Sequence, residues 1–286
     1  EVRRAANVLI GPSVSGGPFR SGGLPMLSYQ HGFHAGNLAD VHKHALLAFV
    51  LDYLTQKDKP LTYIETHAGR GLYDLSAPEA KKTGEAAAGI LGAEGGRWVA
   101  PGHPYLTAGA RTRARHGPQA YPGSPLIAAE LLRPEDRIHL ADLHPQEHAA
   151  LTEAMRDWYS VIHRKDGLEL ALALTPPDPR RGLMLIDPPY EVKDDYTRLP
   201  RIIEQVHRKW NVGIIMLWYP ILSTGAHLPM LAALTAANLA RSFRHEVRFP
   251  PARDGHGMVG SGMFVVNAPF GLAEETARIG TRFSRL

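Results

Sequence analysis

Asp187-Pro188-Pro189-Tyr190 is the stretch whose residue types and spacing could do chemistry. Neither proline carries an N–H and both fix φ, so the turn is stiff and its carboxylate and carbonyl oxygens are left to accept hydrogen bonds. Tyr190 sets an aromatic face beside those acceptors. Such a plate next to fixed acceptors suits a planar ring bearing an exocyclic amino group, such as adenine or cytosine. Asp187, Pro188 and Tyr190 are therefore the candidate catalytic residues. The plain alternative is a loop after a strand that happens to carry Asp-Pro; the second proline, the tyrosine and the apolar lead-in favour the functional reading.

That lead-in, Gly182-Leu183-Met184-Leu185-Ile186, is an apolar run without helical periodicity, as expected of a fully buried parallel strand that ends at a site. Upstream, Leu61 to Glu65 reads as another strand, followed by Thr66-His67-Ala68-Gly69-Arg70-Gly71. Glycines after a strand let backbone approach a ligand closely, and the acid at the strand end without a third glycine suits an adenosyl-methionine site better than a dinucleotide. The next comparable strand, Arg137 to Asp142, begins far later, so residues 72–121 are expected to form an inserted, mainly helical subdomain. Asp142 ends its strand where a carboxylate takes ribose hydroxyls, with a helix N-cap as the alternative. Tyr159 to His163 is a further short strand, and Asp166-Gly167 opens a helix where a side chain and bare backbone can meet an adenine edge, although Asp-Gly is also a common turn. Tyr121-Pro122-Gly123-Ser124-Pro125 returns the chain to the core, with Ser124 as a polar contact and a helix from Leu126 to Leu132.

Near the start, Asn37 is an N-cap for a helix from Leu38 to Leu54, with Asp40 in its first turn. His31, His34, His42 and His44 cluster here, yet His42 and His44 are two apart and diverge on a helix, so no metal site is expected. Lys43 and His44 are read as contacts to a ligand or phosphate, with a solvated helix end as the alternative. Past Tyr190 the pattern predicts a helix over Tyr196 to Lys209, a strand over Val212 to Tyr219, a helix over Leu228 to Leu239, and strands Phe243 to Phe249 and Met263 to Asn267 as an edge hairpin around a loop, Pro250 to Gly262. Arg111, Arg113, Arg115 and His116, and separately Arg241, Arg244, Arg248 and Arg253, are candidate backbone contacts to nucleic acid.

With 286 residues and 44% hydrophobic content the chain can bury one large α/β domain or a domain with an insertion. The net charge of +4 leans towards an anionic partner, although 15 histidines and dispersed arginines give a similar balance without one. No cysteine is present, which excludes disulfides, thiolate metal sites and a cysteine nucleophile and fits the cytoplasm. No apolar stretch is long enough to span a bilayer. Residues 1–25 are rich in Gly, Ser and Pro and lack a period; they are expected to be a tag, extension or upstream translation, with Met26 as the natural start of a domain running to residue 286.

Taken in chain order, Met26-Leu-Ser-Tyr-Gln-His-Gly-Phe-His-Ala-Gly-Asn, Thr66-His-Ala-Gly-Arg-Gly, Tyr121-Pro-Gly-Ser-Pro, Leu143-His-Pro, Asp187-Pro-Pro-Tyr, Leu217-Trp-Tyr-Pro and Gly260-Ser-Gly-Met resemble the RlmJ-type methyltransferases. The resemblance implies a Rossmann-like class I S-adenosylmethionine-dependent methyltransferase with an inserted helical subdomain, acting on N6 of an adenine in 23S ribosomal RNA. It implies that His44, His67, Gly69, Gly71, Ser124, Asp142, Asp166, Gly167 and Asp187 lie on or near the cofactor S-adenosylmethionine, and that Tyr29 and Lys43 face the RNA. The chain is expected to be a cytoplasmic monomer without metal or membrane. The chain departs from the family's pattern at Gln30, Leu38, Glu65, Arg70 and Asp142; the acid swaps keep charge, whereas Gln30 and Arg70 alter the RNA side. In this reading Asp187 and the Pro188 carbonyl accept the two N6 hydrogens and Tyr190 stacks on a flipped base. Other readings are a DNA adenine-N6 methyltransferase, a non-catalytic RNA-binding assembly factor and a histidine-rich metal hydrolase.

Overall fold

The computed structural model describes Gly32 and residues 34–191, 194–252, 255 and 257–286. Tyr29, Gln30, His31, Arg253 and the proposed N-terminal extension lie outside the described residues. In chain order the elements are α1 (Leu38–Thr55), β1 (Thr62–Glu65), β2 (Leu72–Asp74), α2 (Pro78–Thr83), α3 (Glu85–Ala88), α4 (Ile90–Glu94), α5 (Pro104–His116), β3 (Ala120–Pro122), α6 (Ser124–Leu131), β4 (Arg137–Ala141) and α7 (Pro145–Ala154). They continue with β5 (Val161–His163), α8 (Gly167–Leu174), β6 (Gly182–Ile186), α9 (Asp195–Lys209), β7 (Ile214–Leu222), α10 (Leu228–Ala236), β8 (Phe243–Arg248), β9 (Met258–Val266) and α11 (Leu272–Phe283).

Seven strands form one sheet in the order β5-β4-β1-β6-β7-β9-β8. Pairing is parallel from β5 through β7, and β9 runs antiparallel to both its neighbours. This is the Rossmann-like class I methyltransferase arrangement. The strand order reverses between β1 and β6, the position where open α/β sheets bind ligands outside the carboxyl ends of their strands. Asp187 follows β6 and Thr66-His67 follow β1, so both lie at that switch point.

The central strands β1 and β6, and most of β7 and β9, are buried on both faces, which explains their apolar runs. Along β6, Leu183 and Leu185 join one core while Met184 and Ile186 join the other. The first core lies under α1, α6 and α11, and the second under α8, α9 and α10. Helix α1 begins as expected: Asn37 accepts the Asp40 backbone N–H at 2.9 Å, and the Asp40 carboxylate accepts the Gly36 N–H at 2.9 Å. Its flanks pack on α5, α6, α11 and β9, so it is buried nearly all round. Lys43 and His44 are accordingly buried, which corrects the expectation that they could mark a solvated helix end.

Residues 72–121 hold α2 to α5, and their two ends meet in an antiparallel ladder that sets Leu72 opposite Pro122. Neither β2 nor β3 was expected, because three-residue strands carry too little pattern. The closing hairpin is at the sheet edge as expected, but β9 starts at Met258 instead of Met263, since Gly260 and Gly262 pair with β7 and β8 despite their lack of side chains. Helix α11 also escaped the sequence reading. Among the described residues no helix is long and apolar enough to cross a membrane.

At the end of β1 the carboxyl group of Glu65 is fully buried between the hydroxyls of Ser124 and, at 2.8 Å, Tyr63. Burial outweighs those hydrogen bonds and lifts Glu65 from 4.5 to about 8; Asp187 adds to the rise and Lys43 opposes it. The unfolded carboxyl is ionised above its ordinary value while the folded one keeps its proton up to about 8, so this group makes the fold less stable as pH rises through that window. Chemical denaturation at pH 6.5 and 8 checks it: the wild-type chain loses up to about 1.4 kcal/mol per pH unit, whereas Glu65→Gln flattens that slope.

Candidate active site

Strand β6 delivers Asp187 to the switch point with its side chain only 14% exposed. Its Oδ2 sits 2.6 Å from the Lys43 ammonium, which also lies 3.1 Å from Asp40 Oδ1 and 5.5 Å from the centre of the Trp218 ring. Lys43 thus comes from the interior face of α1, held by the same acid that caps the helix. Among the described residues no donor bonds Asp187 Oδ1, so one carboxylate oxygen is fixed and the other can receive a substrate hydrogen. A phosphate contact, one sequence reading of Lys43, conflicts with this placement, because its ammonium is occupied by two carboxylates in a buried setting.

Tyr190 lies close by with a positive φ of 55°, an uncommon conformation for an aromatic residue and one that costs about 1–3 kcal/mol. Its hydroxyl donates to the Trp218 carbonyl at 2.7 Å, and its ring stacks on Tyr196 at 4.8 Å between centres with a 29° tilt. The strained turn and the two anchors hold the ring in one orientation. Burial drives the Tyr190 hydroxyl well above its usual range, aided by the Asp187 charge, so it remains a donor.

On the β1 side, His67 shares a 2.8 Å hydrogen bond with the Thr66 hydroxyl. Burial lowers His67 to about 4, with Asp187 and Asp166 pulling it up and Arg198 pushing it down, so the ring is neutral at physiological pH. Gly69 and Gly71 both have positive φ, and a Cβ on Gly69 would stand 2.8 Å from the Tyr73 hydroxyl. The Gly69 N–H donates to Asp142 Oδ2 at 2.9 Å and the His144 N–H to Asp142 Oδ1 at 2.8 Å. Asp142 therefore ties the glycine loop to the end of β4, beside Leu143, an apolar side chain left 47% exposed. Burial raises the Asp142 carboxyl against those two hydrogen bonds.

Asp166 caps α8 by accepting from the N–H groups of Leu168 at 2.8 Å and Glu169 at 3.0 Å, with Arg198 3.4 Å from its other oxygen. The glycine at position 167 has a structural cause: a Cβ there would lie 1.8 Å from the Thr66 carbonyl oxygen. Open backbone for a ring edge is not what demands it. Ser124 starts α6 and donates to Glu65. His44 bonds the Tyr121 hydroxyl at 2.8 Å, while His42 points to Ser261 and His245. The two histidines diverge, and among the described residues no group of three or more His, Cys, Asp or Glu could hold a metal ion.

The structure thus gathers Lys43, His67 and Asp187 with Tyr190 beside them, sets Gly69, Gly71, Asp142 and Asp166 along the neighbouring strand ends, and places His44 deeper, behind Tyr121. Sequence reasoning missed Asp40, Trp218 and Arg198. Only Asp40 left a signal, three residues before Lys43 on one helix face. On α5, Arg113 pairs with Glu94 at 2.6 Å and Arg115 with Glu130 at 3.0 Å, while Arg111 donates to the Glu130 carbonyl at 2.7 Å; Arg111 and Arg115 remain exposed. Arg248 is also exposed, at the carboxyl end of β8, which points to the same end of the sheet's strands as Asp187.

A family profile described as "RsmJ: Ribosomal RNA large subunit methyltransferase D, RlmJ" matches residues 58–284. A protein of Escherichia coli (strain K12) named "Ribosomal RNA large subunit methyltransferase J" is 38% identical over 256 residues, covering 87% of this chain and 90% of its own length. Its namesake from Haemophilus influenzae is 39% identical over 263 residues, covering 89% and 92%. Among solved structures, protein LPL1258 from Legionella pneumophila superposes with a TM-score of 0.76 at 34% identity, over 87% of this chain and 92% of that one. The fold, the Asp-Pro-Pro-Tyr turn at its switch point and these matches across most of the sequence together establish that the chain belongs to the RlmJ family of ribosomal RNA large subunit methyltransferases.

Proposed function

We propose that this chain transfers a methyl group from S-adenosylmethionine to N6 of an adenine in 23S ribosomal RNA. The observation that carries the reading is the Asp187 carboxylate, gripped through Oδ2 by Lys43 and open at Oδ1, at the switch point of the sheet and next to the Tyr190 ring. The crevice above β1, β4 and β5 suits a nucleoside cofactor. Asp142 is a fixed acceptor at the end of β4 for a pair of ribose hydroxyls, Leu143 offers exposed apolar surface for a ring, and Gly69 and Gly71 keep the loop low. When bound, S-adenosylmethionine supplies an electrophilic methyl on a sulfonium centre.

The residues of the chain supply the rest. An adenine amine is a poor nucleophile because its lone pair is delocalised into the ring. Asp187 Oδ1 and the Pro188 carbonyl accept the two N6 hydrogens, which returns electron density to nitrogen and aims the lone pair out of the base plane. The stiffness of the two prolines keeps those acceptors at fixed spacing. Tyr190 stacks on the flipped base, its strained backbone and anchored hydroxyl preventing rotation. Formation of the N–C bond would be matched by loss of the methyl from the sulfonium, which would leave as a neutral thioether; N6 gains positive charge and its proton passes to Asp187. Lys43 holds the carboxylate so that one lone pair faces the amine throughout.

In this reading Asp142, Asp166, Gly167, Gly69, Gly71, His67, Ser124 and Asp187 bound the cofactor crevice, with His44 supporting its wall through Tyr121. Residues 72–121 act as an insertion that covers α1 behind the site, and Tyr29 approaches the RNA.

Nucleoside mass spectrometry after incubation with labelled S-adenosylmethionine and either unmodified 23S rRNA or duplex DNA tests the proposal. N6-methyladenosine in the RNA alone is expected; label in DNA alone would replace rRNA by DNA as the substrate class, and label in neither would sink the enzyme reading. Asp187→Ala is expected to leave the folded circular dichroism spectrum intact and to lower turnover by at least ~10³-fold. Lys43→Met should lower kcat by roughly 10²-fold, because the carboxylate loses the cation that orients it. Retention of wild-type kcat by the lysine variant would remove Lys43 from the mechanism.

A further inference from the structure

Behind the site, four elements converge on a buried polar chain that the methyl-transfer geometry does not use directly. On β7, the Trp218 indole N–H donates to the Ser261 hydroxyl of β9 at 2.9 Å. The Ser261 oxygen lies 2.8 Å from Nδ1 of His42 on α1, and His42 Nε2 lies 2.9 Å from Nδ1 of His245 on β8. Ser261 and His42 are wholly buried.

The direction of this chain follows from the donor inventory. An indole nitrogen can only donate, so Ser261 accepts from Trp218. The serine proton needs an acceptor, and among the described residues His42 Nδ1 is the one bonded to it. His42 therefore accepts at Nδ1, carries its hydrogen on Nε2 and donates to His245 Nδ1. A doubly protonated His42 could not accept from serine, and burial together with His245 keeps the ring neutral. The bonds run one way, Trp218 to Ser261 to His42 to His245.

Trp218 is where the chain meets the site. Its carbonyl receives the Tyr190 hydroxyl at 2.7 Å, and its ring lies under the Lys43 ammonium at 5.5 Å. The two groups that flank Asp187 thus rest on one residue, Tyr190 on its backbone carbonyl and Lys43 on its ring. His42 is also the neighbour of Lys43 on α1, so its bond to β9 sets how that helix seats against the sheet. We infer that Ser261, His42 and His245 are positioning residues for methyl transfer: their hydrogen-bonded relay fixes the Trp218 indole, and through that ring the placement of Lys43 beside Asp187. This rests on the methyltransferase reading above.

The test compares wild-type chain with Ser261→Ala, His42→Leu and His42→Asn in three measurements: kcat for methyl transfer to unmodified 23S rRNA, the Kd for S-adenosylmethionine by calorimetry, and the ¹⁵N–¹H indole resonance of Trp218, assigned with Trp218→Phe. Ser261→Ala is expected to shift the indole resonance, to lower kcat about tenfold to a hundredfold, and to leave the cofactor Kd within about twofold. His42→Asn, whose side-chain oxygen stands where Nδ1 accepts, should recover most of the kcat that His42→Leu loses. An indole shift without any change in kcat overturns the inference. So does an unmoved indole resonance, or a parallel fall in kcat, cofactor affinity and folded signal in Ser261→Ala and both His42 variants, which marks a merely structural role. A wild-type chain that transfers no methyl overturns the underlying reading as well, and is recognised because it fails before any variant is compared.

Discussion

The contact between Lys43 and Asp187 is the constraint on which the rest of this structure depends. It joins the first helix to the strand end that bears the reactive turn, across 144 residues of sequence. A buried ammonium between two carboxylates is tolerated only when its geometry is held from outside, since either partner left alone would be a desolvated charge. That requirement accounts for much around it: the Asn37 and Asp40 cap that starts α1, the Trp218 ring beneath the cation, and the apolar helices packed over α1. The turn gains one immobilised oxygen and one available oxygen, a division a solvated aspartate would not keep.

Much of the framework was legible in the chain. The run from Leu183 to Ile186, the two prolines that halt it and the Asn37 cap announced a buried strand, a stiff turn and a helix start by local chemistry alone, and each lies where local chemistry puts it. The pairings across the fold were not legible. Nothing near Glu65 in sequence says that Ser124, 59 residues on, donates to it. Nothing near Lys43 says that its charge is turned inward. Gly167 shows the opposite error: a glycine beside an acid suggests room for a ligand, while the cause is the Thr66 backbone pressed against it.

Basic residues carried a similar ambiguity. The arginines of α5 look like a phosphate-binding face when written as a sequence, yet Glu94 and Glu130 pair with two of them, Arg113 and Arg115. Arg248 earns attention only from topology, because the antiparallel pairing of β8 with β9 turns its end towards the side of the sheet that holds Asp187. Composition counts charges, and the fold decides which of them face outward.

The seating of α1 has a further consequence, for how the protein is made. This early helix finds its lasting neighbours in α5 and α6, then in β9, and last in α11, the final helix of the described chain. A ribosome delivers those partners in that order. Until the last has emerged, one flank of a helix buried nearly all round stays uncovered on the nascent chain, and Lys43 has no completed pocket to enter. Helix α11 is therefore part of the lock on α1, and its loss strips cover from the helix that places Lys43.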